Sequence, residues 1–173
     1  MIIYHQAFDL YHSVYRMLQI LTYYKRKEYV ETDRLRIWDF YLLFPSEVHK
    51  IKIFREEEDL KKLIRSYIYK QENPYEEILD GRKMFEKIKS YQLHAIKCLA
   101  SYDIIDKDHL NENRVTIISK TLLEKYSAKF EPLSVSEINT IKLMTSEFAQ
   151  ISMYGPKGLK ARTKLLESRY DTE

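Results

Sequence analysis

The stretch GRKMFEKIKSYQLHAIKCLAS, residues 81–101, decides the fold class. After its first residue it contains neither glycine nor proline. Phe85, Ile88, Ala95, Ile96 and Leu99 gather within about a third of a helix circumference at ~100° per residue. The other side carries Lys83, Lys87, Ser90, His94 and Lys97, which fall within about 80° of one another at the same advance. The pattern predicts a long amphipathic helix with one face in a core and one in solvent.

Upstream, a break around Asn73 and Pro74 separates this helix from another expected over residues 56–69. There Glu56, Glu57, Glu58 and Asp59 suit a helix N-terminus, and Leu60, Leu63, Ile64, Tyr67 and Ile68 share a face. Earlier still, Leu35, Ile37, Trp38 and Phe40 to Phe44 are apolar on nearly every side, which predicts a central helix capped by Thr32 or Asp33. Pro45 ends it, and Pro45-Ser46-Glu47 can open a short helical turn. From about Phe8 to Tyr23, Leu10, Val14, Leu18 and Leu21 mark a further amphipathic helix flanked by Tyr11 and Tyr15, with Lys25, Arg26 and Lys27 as its solvated end.

Downstream, Ile104 and Ile105, then a polar stretch from Asp106 to Arg114, then Val115 to Ile118, read as two short β-segments joined by a loop. Helices followed by a hairpin have the order of a winged helix-turn-helix. Ser134-Val-Ser-Glu137 is a capping signature for a helix to about Ile151, with Ile138, Ile141, Met144 and Phe148 on its apolar face. A last helix is expected from about Leu159 to Tyr170, after Gly155-Pro156-Lys157-Gly158. The expected fold is therefore mainly α: one domain over residues 1–173, with a winged-helix-like core at about 32–119, a short β-hairpin within it, and a C-terminal helical extension over 120–173.

Composition narrows the function classes. The 173 residues, 45% of them hydrophobic, suffice for a core that buries roughly 70% of the unfolded chain's surface. The single cysteine, Cys98, leaves no internal disulfide. With 29 basic and 26 acidic residues, net +3, the charge is too balanced to mark a nucleic-acid binder by totals. Fifteen tyrosines suit interfaces, where a broad ring with a polar tip is useful, and equally suit a core margin. Asp9 and His12 interrupt the apolar residues near the start, and no stretch approaches ~18 apolar residues, so neither a signal peptide nor a membrane span is expected and the cytoplasm is the expected location.

No catalytic constellation stands out. His5, Asp9 and His12 could share a helix side, but neither His-Glu-x-x-His nor a cysteine-rich pattern accompanies them. Cys98 falls mid-helix at the margin of an apolar face, where a free cysteine behaves as a small hydrophobe. A glycine-rich phosphate loop, a Ser-His-Asp order and paired carboxylates are all missing from the sequence. A chain without an enzyme's chemistry, metal or cofactor is the expectation.

Two basic features remain. The stripe Lys83, Lys87, His94 and Lys97, with Ser90, contains no carboxylate, although Glu86 lies near its edge. It is either the solvated face every amphipathic helix needs or a contact surface for a partner or DNA. Against direct DNA reading, the polar stretch from Asp106 to Arg114 has three acids to two bases. The second feature is the run Lys157, Lys160, Arg162, Lys164 and Arg169, opposed only by Glu167 between Gly155 and Tyr170. It could dock on an acidic partner or a phosphate backbone, or simply be a solvated terminal helix.

The opening Tyr4-His5-Gln6-Ala7-Phe8-Asp9-Leu10-Tyr11-His12 and the run Asp33-Arg34-Leu35-Arg36-Ile37-Trp38-Asp39-Phe40-Tyr41-Leu42-Leu43-Phe44-Pro45 together resemble the small middle component of the bacterial ABC-three-component systems, conflict and phage-defence operons that include Lamassu-like systems. The resemblance covers most of the chain and rests on lead-in and core residues, not on a catalytic signature. It implies an accessory subunit that bridges or regulates an SMC- or ABC-type ATPase and an effector such as a nuclease, with ATP and chemistry belonging to those partners and DNA reached through the complex. It also makes the lead-in, Tyr4, Phe8 and Asp9, and the segment from Gly155 to Lys164 the expected partner contacts. The alternative is a free-standing winged-helix DNA-binding transcriptional regulator that uses Lys83, Lys87, His94 and Lys97, and would bind DNA alone in a salt-sensitive way.

Overall fold

The computed structural model describes residues 5–70 and 77–166. Within them a short 3-10 turn at Gln6–Phe8 leads into α1 (Leu10–Tyr23), β1 (Tyr29–Glu31) and α2 (Thr32–Leu43). A 3-10 segment at Pro45–Lys50 is followed by α3 (Glu58–Tyr67), α4 (Gly81–Ser101), α5 (Lys107–Leu110) and β2 (Arg114–Thr116). Then come α6 (Lys120–Ser127), α7 (Val135–Thr145), a 3-10 turn at Phe148–Gln150 and α8 (Leu159–Thr163). The expected class, mainly helical with a two-stranded antiparallel pair, holds. The break expected around Asn73 and Pro74 lies outside the described residues.

The all-round apolar helix is the hub. Every residue of α2 from Arg34 to Leu42 is buried, and Trp38 is enclosed with the Tyr24 ring 5.4 Å away. Across from it, Phe40 meets Phe85 of α4 edge to face at 5.9 Å, a geometry aromatic pairs favour. Burying these rings out of water is the main stabilising term, since an aromatic side chain removes 150–250 Å² each. The chain leaves α2 at Leu43, as Pro45 dictates, and turns through the expected short helical segment. Phe85, Ile88, Ala95, Ile96 and Leu99 are all buried, so the reading of α4 holds residue by residue.

Several expectations are corrected. In α1, Leu10 is exposed, whereas Ser13, Arg16, Met17 and Ile20 are buried together with Leu18 and Leu21. The reason is crowding: the second half of α1 is hemmed in by α2, α4, α6 and α7, so its polar side goes under cover as well.

The strand pairing also differs. β2 runs antiparallel to β1, with Val30 opposite Val115 and both side chains fully buried. Ile105 meets Ile117 only at an isolated bridge. The stretch between them is not a plain hairpin loop, because Asp106 caps α5 by accepting the Asp108 and His109 N–H groups at 2.8 and 3.1 Å. The N-cap of α2 is accordingly Glu31, the last residue of β1; neither Thr32 nor Asp33 holds that place, and the Thr32 N–H donates to the Asn113 carbonyl at 2.9 Å.

The last correction concerns the C-terminal helix. α8 stops at Thr163, with Lys164 in the left-handed region at φ 55°. That turn brings Leu165 into the core. The remainder of the helix expected to Tyr170, from residue 167 on and including Glu167 and Arg169, lies outside the described residues. By contrast, Ser134 and Glu137 form both halves of the expected capping box at the start of α7.

Candidate functional site

The polar residues of the apolar hub assemble an internal network. Arg16 Nε of α1 donates to Asp39 Oδ1 of α2 at 2.6 Å, with the two side chains 5% and 0% exposed. Gln92, on the apolar face of α4, donates through Nε2 to Asp39 Oδ2 at 2.9 Å and to the Arg36 carbonyl at 3.0 Å. Arg36 Nε returns a bond to Gln92 Oε1 at 3.1 Å, and Nη1 reaches Asp33 at 3.1 Å. The Arg36 guanidinium lies over the Phe85 ring, 4.4 Å from its centre. Arg16 further reaches Ser13 Oγ and the Gln6 carbonyl. One connected set of bonds thus ties the lead-in, α1, α2 and α4 together.

The centre of this network is closed to solvent, with Ser13, Asp39 and Gln92 fully buried, while the Asp33 side chain at its edge reaches water. Buried charges persist only when paired and hydrogen-bonded, and here each has partners. Its residues supply a structural account of Gln6, Asp33, Arg36 and Asp39, which belong to the two stretches that carry the family resemblance. Sequence reasoning missed Arg16, Arg36, Asp39 and Gln92 as a group. The signal was present, because Gln92 stands four residues after Ile88 and four before Ile96, a polar residue in the middle of an apolar stripe.

The exposed candidates fall into two places. Lys83, Lys87, Ser90, His94 and Lys97 are all exposed on α4, and among the described residues none of the three lysines nor His94 has an ion pair or a side-chain hydrogen bond. The lead-in packs beside this stripe. Phe8, 40% exposed, meets Tyr91 of α4 at 5.8 Å, and His5 lies between Phe8 and Phe44 at 5.7 and 6.1 Å. The two sequence candidates therefore share one surface. Asp9 has a definite job there: its carboxylate caps α1 by accepting the His12 N–H at 3.0 Å. Tyr4 lies outside the described residues.

The C-terminal basic run is elsewhere and largely engaged. Arg162 is buried, and its guanidinium makes a two-pronged pair with Glu57 at 2.7 and 2.8 Å. Its Nε donates to the Lys157 carbonyl at 2.6 Å, and Lys157 Nζ pairs with Glu56 at 2.6 Å. Both cations cover the Phe54 ring. Arg162 thus clamps α8 against residues 52–57, with its charge met internally by Glu57. Lys160 is half-buried in a cleft of about 340 Å³ beside Asp33 and Glu86, and Lys164 is exposed at the left-handed turn.

The electrostatics follow this packing. The Arg162 hydrogen bonds, foremost, hold the Glu57 carboxyl below the usual carboxylate range, against the upward push of burial. Burial, then the Glu47 charge, drives the Tyr41 phenol far upward, so it stays neutral. Burial, then Glu137 and Glu131, raises Tyr15 as well. Two histidines have backbone partners: His5 Nδ1 accepts the Ala7 N–H, and His49 Nε2 bonds the Ile68 carbonyl. Among the described residues no group of three or more His, Cys, Asp and Glu is placed to hold a metal ion, and no helix is long and apolar enough to cross a membrane.

Taken together, the buried polar residues of this helical chain brace its own core, and Lys83, Lys87, His94 and Lys97 stand exposed on one helix beside an aromatic lead-in. Over residues 2–171 it matches the family described as ABC-three component (ABC-3C) system Middle Component 5. The chain belongs to that family, and with it to the middle components of ABC-three-component systems. Among curated proteins and among solved structures no match to it is found.

Proposed function

We propose that this middle component is a non-catalytic accessory subunit that bridges or regulates an SMC- or ABC-type ATPase and an effector nuclease of the same operon, in a cytoplasmic phage-defence complex of the Lamassu-like kind. The observation that carries the reading is the shared surface of α4 and the lead-in, where Lys83, Lys87, His94 and Lys97 stand exposed without charged partners next to Phe8 and His5. Rows of unneutralised cations beside exposed rings favour association, because the charges steer encounter and the rings add contact area. The polar residues of the two family-bearing stretches support the same reading, since their bonds are made internally and brace a rigid platform. DNA is reached through the complex.

The test is co-purification of the tagged chain with the products of its neighbouring genes, with and without DNA, followed by mass determination. A stoichiometric complex containing the ATPase is the expected result. The second reading, a DNA-binding regulator, is favoured by the same exposed stripe on α4; a lone chain that shifts DNA with a steep salt dependence would establish it and end the first.

A further inference from the structure

A groove of about 920 Å³ runs between the lead-in, the end of α2, residues 77–80 and the first turns of α4. Its apolar lining comes from Leu43, Phe44, Ile78 and Met84, all half-buried, and from Leu79, which is 96% exposed. Lys83 and Lys87 form its α4 wall, and His5 the lead-in side. The Asp80 carboxylate, at the same end, caps α4 by accepting the Lys83 N–H at 3.1 Å, so part of its charge is balanced by the helix terminus. Glu77 is the other acid in the lining.

We propose that this groove receives an acidic segment of a partner subunit, with a large apolar side chain of the segment seated over Leu43, Phe44 and Met84 and its carboxylates against Lys83 and Lys87. The assignment rests on the accessory reading and adds to it the place and the chemistry of one contact. Within the lining Lys83 and Lys87 are matched by Glu77 and Asp80, and the positive excess along the α4 side selects an acidic occupant. The row continues along α4 past His94 to Lys97 without a carboxylate, so a segment leaving the groove in that direction meets a further positive charge at Lys97. An apolar anchor in a half-buried trough, with charges on the rim, is the arrangement by which a short segment gains affinity and register together. A nucleic-acid backbone would match the lysines but would leave Leu43, Phe44, Met84 and the fully presented Leu79 without complementary surface.

The experiment uses the full chain co-expressed with the two neighbouring subunits of its operon as the probe. Lys83→Glu/Lys87→Glu and, separately, Leu79→Ser are compared with Lys125→Glu/Lys129→Glu at the end of α6, which does not line the groove. The groove variants are expected to lower capture of one neighbour about ten-fold or more, with urea midpoints unchanged, and capture by the wild type is expected to weaken as salt rises. The α6-region variant is expected to capture normally. A complex indifferent to both groove variants overturns the groove and leaves the accessory function standing. Absence of any complex with the wild type overturns both, and retention of the lone wild-type chain on duplex DNA, lost in the lysine variant but not in Leu79→Ser, assigns the surface to DNA instead.

Discussion

Arg16 on α1 and Asp39 on α2 meet at 2.6 Å in a part of the molecule where neither side chain reaches water. Asp39 has a second partner in Gln92 of α4, so three helices depend on one carboxylate. Asp39→Ala leaves the Arg16 charge buried without its counter-ion, and a loss of about 3–5 kcal/mol is expected in urea unfolding. Gln92→Leu keeps the ion pair but removes its brace and the Gln92 bonds to Arg36 Nε and the Arg36 carbonyl, and should cost about 1–3 kcal/mol. Equal losses in the two variants would contradict the central place given to Asp39.

The Arg162–Glu57 clamp makes a pH prediction. The folded pKa of Glu57 is depressed below its ordinary value of 4.5, so the folded state binds that proton less readily than the unfolded chain does. Its contribution is therefore complete above the ordinary carboxylate range and is lost as pH falls through 4.5 toward the lower folded value. Arg162→Ala should cost about 2 kcal/mol near neutrality and flatten the acid limb of stability against pH. Arg162→Lys should restore only part, because a single ammonium cannot make the two-pronged bond. An acid limb of unchanged steepness in Arg162→Ala would remove Glu57 from this role.

The capping box of α7 is a local device and should be separable from the rest. Ser134→Ala removes the acceptor of the Glu137 N–H, with an expected loss of about 1 kcal/mol. That corresponds to a melting shift of about 2–4 °C for a chain of this size. Ser134→Asp, which retains an acceptor at the cap, should recover most of it.

Gly158 answers a steric demand. A Cβ there would lie 2.3 Å from the Tyr154 carbonyl oxygen, a backbone atom that cannot step aside without moving the turn. Gly158→Ala is expected to cost about 1–3 kcal/mol and to loosen α8 from residues 52–57, which proteolysis at the C-terminal end would report. Gly155→Ala meets no such atom, but its φ of 94° still disfavours a side chain, so a smaller loss is expected.

Much of the architecture was legible from periodicity, and the limits of that legibility are physical. α4 was read to its true ends because a long apolar stripe, a starting glycine and an intact run of helix formers agree with one another. β1 was not, because three residues show no period and their partner lies far along the chain. The same remoteness hid the clamp: Glu56 and Glu57 read as N-terminal acids of a helix and Lys157 and Arg162 as a basic patch, whereas they neutralise one another in space. On the candidate surface, the stripe was visible as residues on one side of a helix, and its meeting with the lead-in required the packing of α1 on α4.

The pairing of Tyr29–Glu31 with Arg114–Thr116 has a consequence for how the chain is made. During synthesis the first strand emerges early and its partner only after helices α2 to α5 have been translated. Until then Tyr29, Val30 and Glu31 offer an unsatisfied strand edge, able to pair with another nascent chain. Closing that ribbon is a long-range step late in the vectorial order, and the buried contact of Val30 with Val115 is what completes it. A chain released before residue 114 would keep every residue of the Arg16–Asp39–Gln92 brace and still carry an open seam.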